Sequence, residues 1–165
     1  VRGLTEEQLN WKPDANHWSI AQCLEHLAVT SRQFNGYFAQ IIEGARLKWP
    51  TKGPVPYRPS LVGGWLIKQV VPETTRKVPA PKVFKPSDSS SIQDALGLFL
   101  KQQGEFVGFV RKSEGVDYNR ARLRSPVTPL MRYSLADAFV VTIVHGYRHL
   151  AQATRVKGMT NFPNT

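Results

Sequence analysis

Apolar residues recur every three to four positions along three long stretches of the chain, which is the spacing that predicts amphipathic α-helices. The first stretch begins after Ser19, and Gln22 follows three residues later in the pattern of a capping box. Gly44 and then Pro50 mark its end. The apolar positions of this predicted helix are Ile20, Cys23, Leu24, Leu27, Phe34, Phe38, Ile41 and Ile42, with Ser31 as a small exception.

The other two stretches also begin at capping patterns. Ser91 with Asp94 precedes an amphipathic helix of about six turns, and Ser134 with Asp137 precedes a last helix from Leu135 to about Val156. The apolar positions of the six-turn helix are Ile92, Ala95, Leu96, Phe99, Phe106, Val107 and Val110, with Gln103 as a polar exception. The last helix is apolar on nearly all sides, so we expect it to lie between other helices or at a subunit interface.

Residues 48 to 88 lack this periodicity and contain most of the prolines. Only Leu61 to Val71 predicts a short helix there. Long irregular segments in compact domains are usually functional lids or disordered. Three aromatic residues favour a packed lid: Trp49, Tyr57 and Trp65. We expect residues 46 to 85 to fold over one end of the helices and to help form the mouth of a pocket.

Three amphipathic helices need apolar partners, and an antiparallel four-helix bundle provides them. We therefore predict an all-α fold in one domain over residues 1 to 165, without strands, because no alternating pattern is present. Gly3 to Asn10 would be the tail of the remaining helix or the turn after it. Since the chain begins with Val1 rather than Met, we expect that helix to be truncated. The sequence shows no secretory signal and no apolar run of about eighteen residues, so we predict no membrane span.

Charge and cysteine content restrict the function further. The formal net charge is +10, and the stretch from Arg46 to Lys85 has nine Lys or Arg against one acid, Glu73, a net +8. A second basic cluster consists of Arg120, Arg122 and Arg124. Three explanations of this positive charge are open: solvated loop charge, an anionic small-molecule substrate or nucleic acid. Nucleic acid is the weakest explanation because no known nucleic-acid-binding motif is present. The single cysteine, Cys23, fits a reducing cytoplasm and is better explained as a buried spectator than as a nucleophile.

Histidine spacing is the main indication of chemistry. His145 and His149 are four residues apart, so on a helix they share one face and can bind one divalent metal ion. His26 lies at the edge of the apolar face of the first long helix, beside Thr30, and could complete a three-histidine site with an open position, as in catalytic zinc sites. Chance surface pairs and satisfied core histidines are the alternatives. Gly146 stands where zinc proteases carry their glutamate base, which argues against that mechanism.

Several segments, in this order, resemble the DinB-like family of the superfamily that includes the YfiT-type bacillithiol transferases. The resemblance covers most of the chain except residues 48 to 83. The matching segments are Gly3-Leu4-Thr5-Glu6-Glu7-Gln8-Leu9-Asn10-Trp11-Lys12-Pro13, Trp18-Ser19-Ile20-Ala21-Gln22 leading to His26-Leu27, Phe84-Lys85-Pro86-Ser87, Ser125-Pro126, Arg132-Tyr133-Ser134-Leu135 and His145 to Gln152.

This resemblance implies an up-down-down-up bundle in which His26, His145 and His149 hold a divalent ion such as zinc or nickel. It also implies a homodimer and, from activities of the wider superfamily, transfer of a low-molecular-weight thiol to an electrophile or thiol-dependent isomerisation. The chain departs from the family in its largely absent first helix. It also has Gly146 where many relatives carry an acidic or other polar residue.

Residues near these histidines receive other interpretations. His17 is interpreted as a surface or loop histidine, Trp18 as packing at the entrance of a helix, and Arg148 as a partner in a surface ion pair. Gln152 either orients His149 or is solvated, and these alternatives are equally weighted. Glu25 projects about 100° away from His26 and is not assigned as a base.

The histidine pattern together with this resemblance predicts a metal-dependent enzyme in the cytoplasm. The resemblance implies transfer of a small thiol to an electrophilic small molecule, and the basic segment favours an anionic one. No catalytic side chain is assigned, and the missing general base weakens a hydrolytic variant. The alternative is a non-catalytic, metal-stapled stress-response or dimerisation module. Nucleic-acid binding through the basic segment is a third and weaker hypothesis.

Overall fold

The computed structural model describes residues 1, 3–74, 79–87, 93–128 and 130–163. Within these residues the chain is mostly helical, with little sheet, as the apolar periodicity predicted. In chain order the elements are α1 (Glu6–Asn10), α2 (Ile20–Lys48), α3 (Leu61–Val70), a 3₁₀ helix (Lys82–Phe84), α4 (Ala95–Lys112), β1 (Arg122–Arg124), β2 (Arg132–Ser134) and α5 (Leu135–Lys157).

Helices α2 and α5 begin where the capping patterns predicted. The Ser19 hydroxyl accepts from the Gln22 backbone N–H at 3.0 Å, and the Gln22 side chain accepts from the Ser19 N–H at 3.1 Å. Ser134 and Asp137 form the same reciprocal pair at the start of α5. These bonds satisfy backbone donors that the first helical turn leaves without partners, so both capping boxes are confirmed.

The start of α4 differs from the prediction. This helix begins at Ala95, and Asp94 is its N-cap, because the Asp94 carboxylate accepts from the Gly97 N–H at 3.2 Å. Asp94 was expected to be the third residue of a capping box that opens at Ser91. Ser91 and Ile92 lie outside the described residues.

The prediction of a chain without strands is wrong. β1 and β2 pair antiparallel, with Leu123 opposite Tyr133 and Arg124 opposite Arg132. Leu123 and Tyr133 are buried, whereas both arginines are exposed. A short alternation is present, because Arg120, Arg122 and Arg124 are exposed while Ala121 and Leu123 between them are buried. The sequence analysis interpreted these arginines only as a basic cluster and therefore did not predict the ribbon.

Two buried apolar clusters fix α2 against the other long helices. At one end, the Phe38 ring of α2 lies 6.1 Å from Phe106 of α4 and 5.1 Å from Phe139 of α5. At the other end, Cys23 of α2 packs in a cluster that includes Ala153 of α5. The start of α2 therefore meets the end of α5, and the two helices run antiparallel. Burial raises the pKa of the Cys23 thiol to about 12, in agreement with a spectator role.

The segment between α2 and α3 is attached to the turn after α4. The Thr51 N–H donates to the Gly115 carbonyl at 2.9 Å, and the Asn119 side chain bonds the backbone of Pro56 and Arg58. Helix α3 then packs on α5. The short helix expected over Leu61 to Val71 is thus present, and it ends one residue earlier.

A buried carboxylate, Asp137, joins α3 to α5. It accepts hydrogen bonds from the Tyr57 hydroxyl at 2.9 Å, the Ser60 hydroxyl at 2.7 Å and the Ser134 hydroxyl at 2.6 Å. Burial alone would raise the pKa of this carboxyl, but the bonds from Ser134, Ser60 and Tyr57 outweigh burial and lower the pKa below 3.8. Gly63 lets α3 approach closely, because a Cβ at Gly63 would lie 2.0 Å from the Asp137 Cγ.

We predict that Gly63→Ala lowers the free energy of unfolding by about 2 kcal/mol or more, because the added methyl group must displace the Asp137 carboxylate from its bonds. Gly64→Ala is the matched control in the same helix. Its Cβ would lie 3.8 Å from the Pro59 Cβ, an ordinary contact, so helix propensity should make that change neutral or stabilising. Urea unfolding of the three proteins measures the difference, and equal effects of the two changes would contradict the prediction.

We also predict a specific acid sensitivity from Asp137. Since its pKa is lowered in the folded state, the stability it contributes is complete above the unfolded value near 3.8 and is lost as the pH falls through the folded pKa. Asp137→Asn should therefore be about 2 kcal/mol less stable than wild type at neutral pH, and this gap should shrink below about pH 4. Urea unfolding between pH 7 and 3 tests this, and a gap that does not change with pH would argue against it.

Candidate metal centre

Antiparallel packing of α2 against α5 brings three histidines together. The His145 Nε2 lies 3.3 Å from the His26 Nε2 and 3.1 Å from the His149 Nε2. One potential ligand atom from each ring lies within 4.8 Å of the others. His26 and His149 are buried, and His145 is half-buried. The structure thus brings together the three residues that the sequence analysis selected.

These separations fit a tetrahedral ion. Nitrogen ligands at about 2.0–2.1 Å from a tetrahedral zinc ion lie roughly 3.3 Å from one another. The two Nε2 separations that involve His145 agree with this spacing. Three imidazoles would leave a fourth position open.

The protonation of two rings also fits a cation. His26 Nδ1 lies 2.5 Å from the Phe84 carbonyl oxygen, and His149 Nδ1 lies 3.0 Å from the Gln152 Oε1. These oxygens only accept hydrogen bonds, so each Nδ1 carries the proton and each Nε2 presents a lone pair to the centre of the site. His145 can donate a single proton from its Nε2, which cannot bond the Nε2 lone pairs of His26 and His149 at the same time. A cation between the rings would instead bind a lone pair from each of the three imidazoles.

The electrostatics keep these rings neutral, as metal ligands must be. Burial lowers the pKa of all three imidazoles. For His149, burial and then repulsion by His26 lower the pKa to about 3, although the bond to Gln152 opposes this. For His145, burial is again the largest cause, followed by repulsion from His149 and His26. None of these rings is protonated near neutral pH.

Trp18 forms an aromatic wall of the site. Its ring stacks on His149 at 5.6 Å and lies 4.9 Å from the His26 ring. It also packs on the apolar cluster at the start of α2, as expected of a residue at a helix entrance, but its contacts with the histidines were not predicted. His17 is far more exposed and bonds Asp14 at 2.8 Å, so it lies outside the site, as predicted.

Polar side chains of α2 hold the end of the proline-rich segment beside the histidines. The Ser87 N–H and hydroxyl both donate to the Glu25 carboxylate, at 2.8 and 3.0 Å. The Gln22 side chain donates to the Ser87 carbonyl at 3.2 Å. These bonds fix the chain three residues after Phe84, whose carbonyl orients His26. Glu25, which had no assigned role, thus supports the site indirectly.

Arg148 holds the chain that leaves α3. It donates to the carbonyl oxygens of Val71 and Thr74, at 3.1 and 3.0 Å, and the surface ion pair expected for it stays a prediction. The chain that leaves α3 is thereby held to α5 next to His149. The bond between Gln152 and His149 supports the orienting role that was one of two alternatives for Gln152.

A cavity of about 760 Å³ lies nearer the start of α5 and does not include the histidines. It is lined mainly by apolar side chains and backbone from three parts of the chain: residues 51–57, residues 110–118 and residues 136–140. The cavity therefore gives no information about ligands of the histidine site.

Comparisons with known proteins add one finding. The sequence model of the DinB superfamily matches residues 1–153, and neither a curated protein nor a solved structure gave a match. Within the described residues, no helix has the length and apolar character needed to cross a membrane. Because the family match spans most of the 165 residues, the chain belongs to the DinB superfamily.

Proposed function

We propose that this protein is a metal-dependent enzyme whose His26, His145 and His149 bind one divalent ion, zinc or nickel. The convergence of three neutral imidazoles, two of them with lone pairs directed inward, supports this most strongly. We further propose that the helices represent a four-helix bundle of the DinB type, in one domain.

The proposed reaction is transfer of a low-molecular-weight thiol to an electrophilic small molecule. When bound, a divalent ion would supply an open coordination position and would lower the pKa of a thiol that enters it. The residues around it would hold His26 and His149 in one orientation and keep water from one side through the Trp18 ring. No general base is assigned to the site, which weakens a hydrolytic reaction more than thiol transfer.

Exposed basic residues near the site support an anionic thiol or substrate. Lys82 and Lys85 are exposed and flank Phe84, whose carbonyl contacts His26. Positive charge at the edge of a site raises the local concentration of anions. We propose that the protein acts as a cytoplasmic homodimer, and the exposed Ile143 and Tyr147 on α5 support a subunit contact through that helix.

A non-catalytic module held together by the metal is the second candidate, because the ion would join α2 to α5. The apolar packing between these helices argues against a need for such a staple. Phe38 and Phe139 are both more than nine-tenths buried, and burial of such a side chain contributes roughly 1.5–3 kcal/mol.

We predict that His149→Ala abolishes binding of zinc and nickel while the protein stays folded, and that wild type binds about one equivalent. His17→Ala is the matched control and should bind metal like wild type, because His17 lies outside the site. Metal analysis measures binding, and circular dichroism melting of wild type, chelator-treated protein and His149→Ala measures the fold. Loss of cooperative melting in both metal-free samples would overturn the enzyme proposal in favour of the staple.

We predict that Gln152→Leu weakens metal binding roughly 10- to 100-fold, because the His149 Nδ1 loses the acceptor that fixes its tautomer and orientation. Gln152→Glu keeps an acceptor at this position and should restore binding. Competition with a chromophoric chelator measures the affinity, and melting of the metal-free proteins controls for a change in stability. If leucine and glutamate variants bind metal as tightly as wild type, Gln152 does not orient the ligand.

A further inference from the structure

The outer face of the ribbon formed by β1 and β2 carries three arginines. Arg124 lies directly opposite Arg132, so their Cβ atoms are roughly 4.5–5.5 Å apart, and Arg122 lies two residues along on the same exposed face. Among the described residues, none of these arginines forms an ion pair. From residue 118 to residue 136 the chain has four arginines and no acid. Since like charges that face each other across two strands are unfavourable, this face favours an anionic partner.

The connection between the two strands carries exposed apolar side chains. Leu130 is 95% exposed, and Val127 is 55% exposed. The connection also has hydrogen bonds of its own, from the Ser125 N–H to the Met131 carbonyl at 2.8 Å and from the Met131 N–H to the Thr128 carbonyl at 3.1 Å. The ribbon thus ends in an apolar tip, beside a face that is entirely basic. Apolar surface rimmed by charge is typical of a contact site.

We propose that this ribbon is a peripheral contact site for a lipid bilayer with anionic headgroups. Leu130 and Val127 enter the boundary between headgroups and acyl chains, while Arg122, Arg124 and Arg132 bind lipid phosphates. A guanidinium group can donate two parallel hydrogen bonds to a phosphate, and its long apolar stem lets the charge stay at the headgroups while the tip goes deeper. Such a contact lies on the membrane surface and needs no spanning helix.

The apolar tip distinguishes a bilayer from other anionic partners. A nucleic-acid backbone or a free phosphate can neutralise the arginines but offers no apolar layer to Leu130. A second copy of the chain has apolar surface, but contact of this face with itself would bring the arginines together. A bilayer with anionic lipids supplies both the charge and the apolar layer.

The ribbon is distant from the histidines, so this inference does not rest on the proposed metal site. The buried Leu123 of β1 packs in the cluster that includes Phe38. Phe38 is twelve residues after His26 on α2, a distance of about 18 Å along the helix. Loss of the metal site by His149→Ala should therefore leave membrane binding unchanged.

Sedimentation with vesicles tests the role of the arginines in the full chain. Wild type should bind mixed vesicles of phosphatidylglycerol and phosphatidylcholine, and it should not bind pure phosphatidylcholine. Arg124→Gln combined with Arg132→Gln should bind the mixed vesicles at least roughly tenfold more weakly, because each arginine near an anionic surface contributes about fivefold. Lys101→Gln combined with Lys157→Gln is the matched control, since both lysines are exposed and lie outside the ribbon. At physiological salt this control should bind like wild type.

A second pair of variants tests the apolar tip. Leu130→Ser should bind the mixed vesicles roughly tenfold more weakly, because it removes an apolar side chain that enters the bilayer. Its melting should be unchanged, since this side chain is exposed in the free protein. Leu100→Ser is the matched control, because Leu100 is 50% exposed on α4 and lies beside Phe99, which packs at the Cys23 end of α2. It should bind vesicles like wild type.

Entry into the bilayer can be observed with a fluorophore whose emission depends on polarity. Cys23 is fully buried, so a cysteine introduced by Leu130→Cys can be labelled selectively. Its emission should shift to shorter wavelength with the mixed vesicles, and the same label on Leu100→Cys should show no shift.

Several results would overturn the proposal. These are no binding of wild type to the mixed vesicles, equal binding to pure phosphatidylcholine, full binding by Leu130→Ser, and no emission shift at position 130. An equal loss in the lysine control would show that net charge, and not the ribbon, governs binding. If a DNA oligonucleotide binds wild type and Leu130→Ser equally while the mixed vesicles bind neither, the arginines recognise nucleic acid and the bilayer assignment is wrong.

Discussion

The antiparallel contact between α2 and α5 determines the geometry of the candidate site. Phe38 packs on Phe139 at one end of this contact, and Cys23 packs near Ala153 at the other. With both ends fixed by close-packed apolar side chains, the helices cannot slide past each other without opening cavities. This register places the His26 ring against both histidines of α5. A shift of one helical turn, about 5.4 Å, would separate them beyond the reach of a shared ion.

The same contact creates an electrostatic conflict at the site. The inward lone pairs of His26 and His149 share one possible donor, the His145 Nε2–H, so one buried acceptor lacks the donor that such groups normally have. The protein strengthens this arrangement, because the Phe84 carbonyl and the Gln152 amide hold protons on the outer nitrogens of His26 and His149. Burial lowers the pKa of these imidazoles, so protonation near neutral pH does not relieve the conflict. Buried polar groups that lack hydrogen-bond partners in this way are more characteristic of a functional site than of a structural core.

The parts of the structure that depend on local sequence were predictable. The capping pairs at Ser19 and Ser134 set the start of two helices, and the i, i+4 spacing of His145 and His149 set their common face. The placement of His26 beside them needed the resemblance to the DinB family, because periodicity put it only at the edge of a stripe. Contacts that involve backbone carbonyls were not predictable. The Phe84 carbonyl on His26 has no signature in residue type, and the same holds for the carbonyls that Arg148 contacts.

The hydrogen bonds of Asp137 show why the contacts between the proline-rich segment and the helices could not be predicted from the sequence. The capping box at the start of α5 already explained why an aspartate stands at position 137. Nothing in the sequence therefore indicated its bonds from Tyr57 and Ser60, which are 80 and 77 residues away. The proline-rich segment is held at Asp137, at Arg148 and at Glu25, successively along its length. Each attachment uses a side chain of a long helix and a backbone or hydroxyl group of the segment. A segment without its own periodicity thus takes its position from polar groups on the helices, and its end delivers the Phe84 carbonyl to His26. The orientation of a predicted ligand therefore depends on the part of the chain where the sequence pattern was least informative.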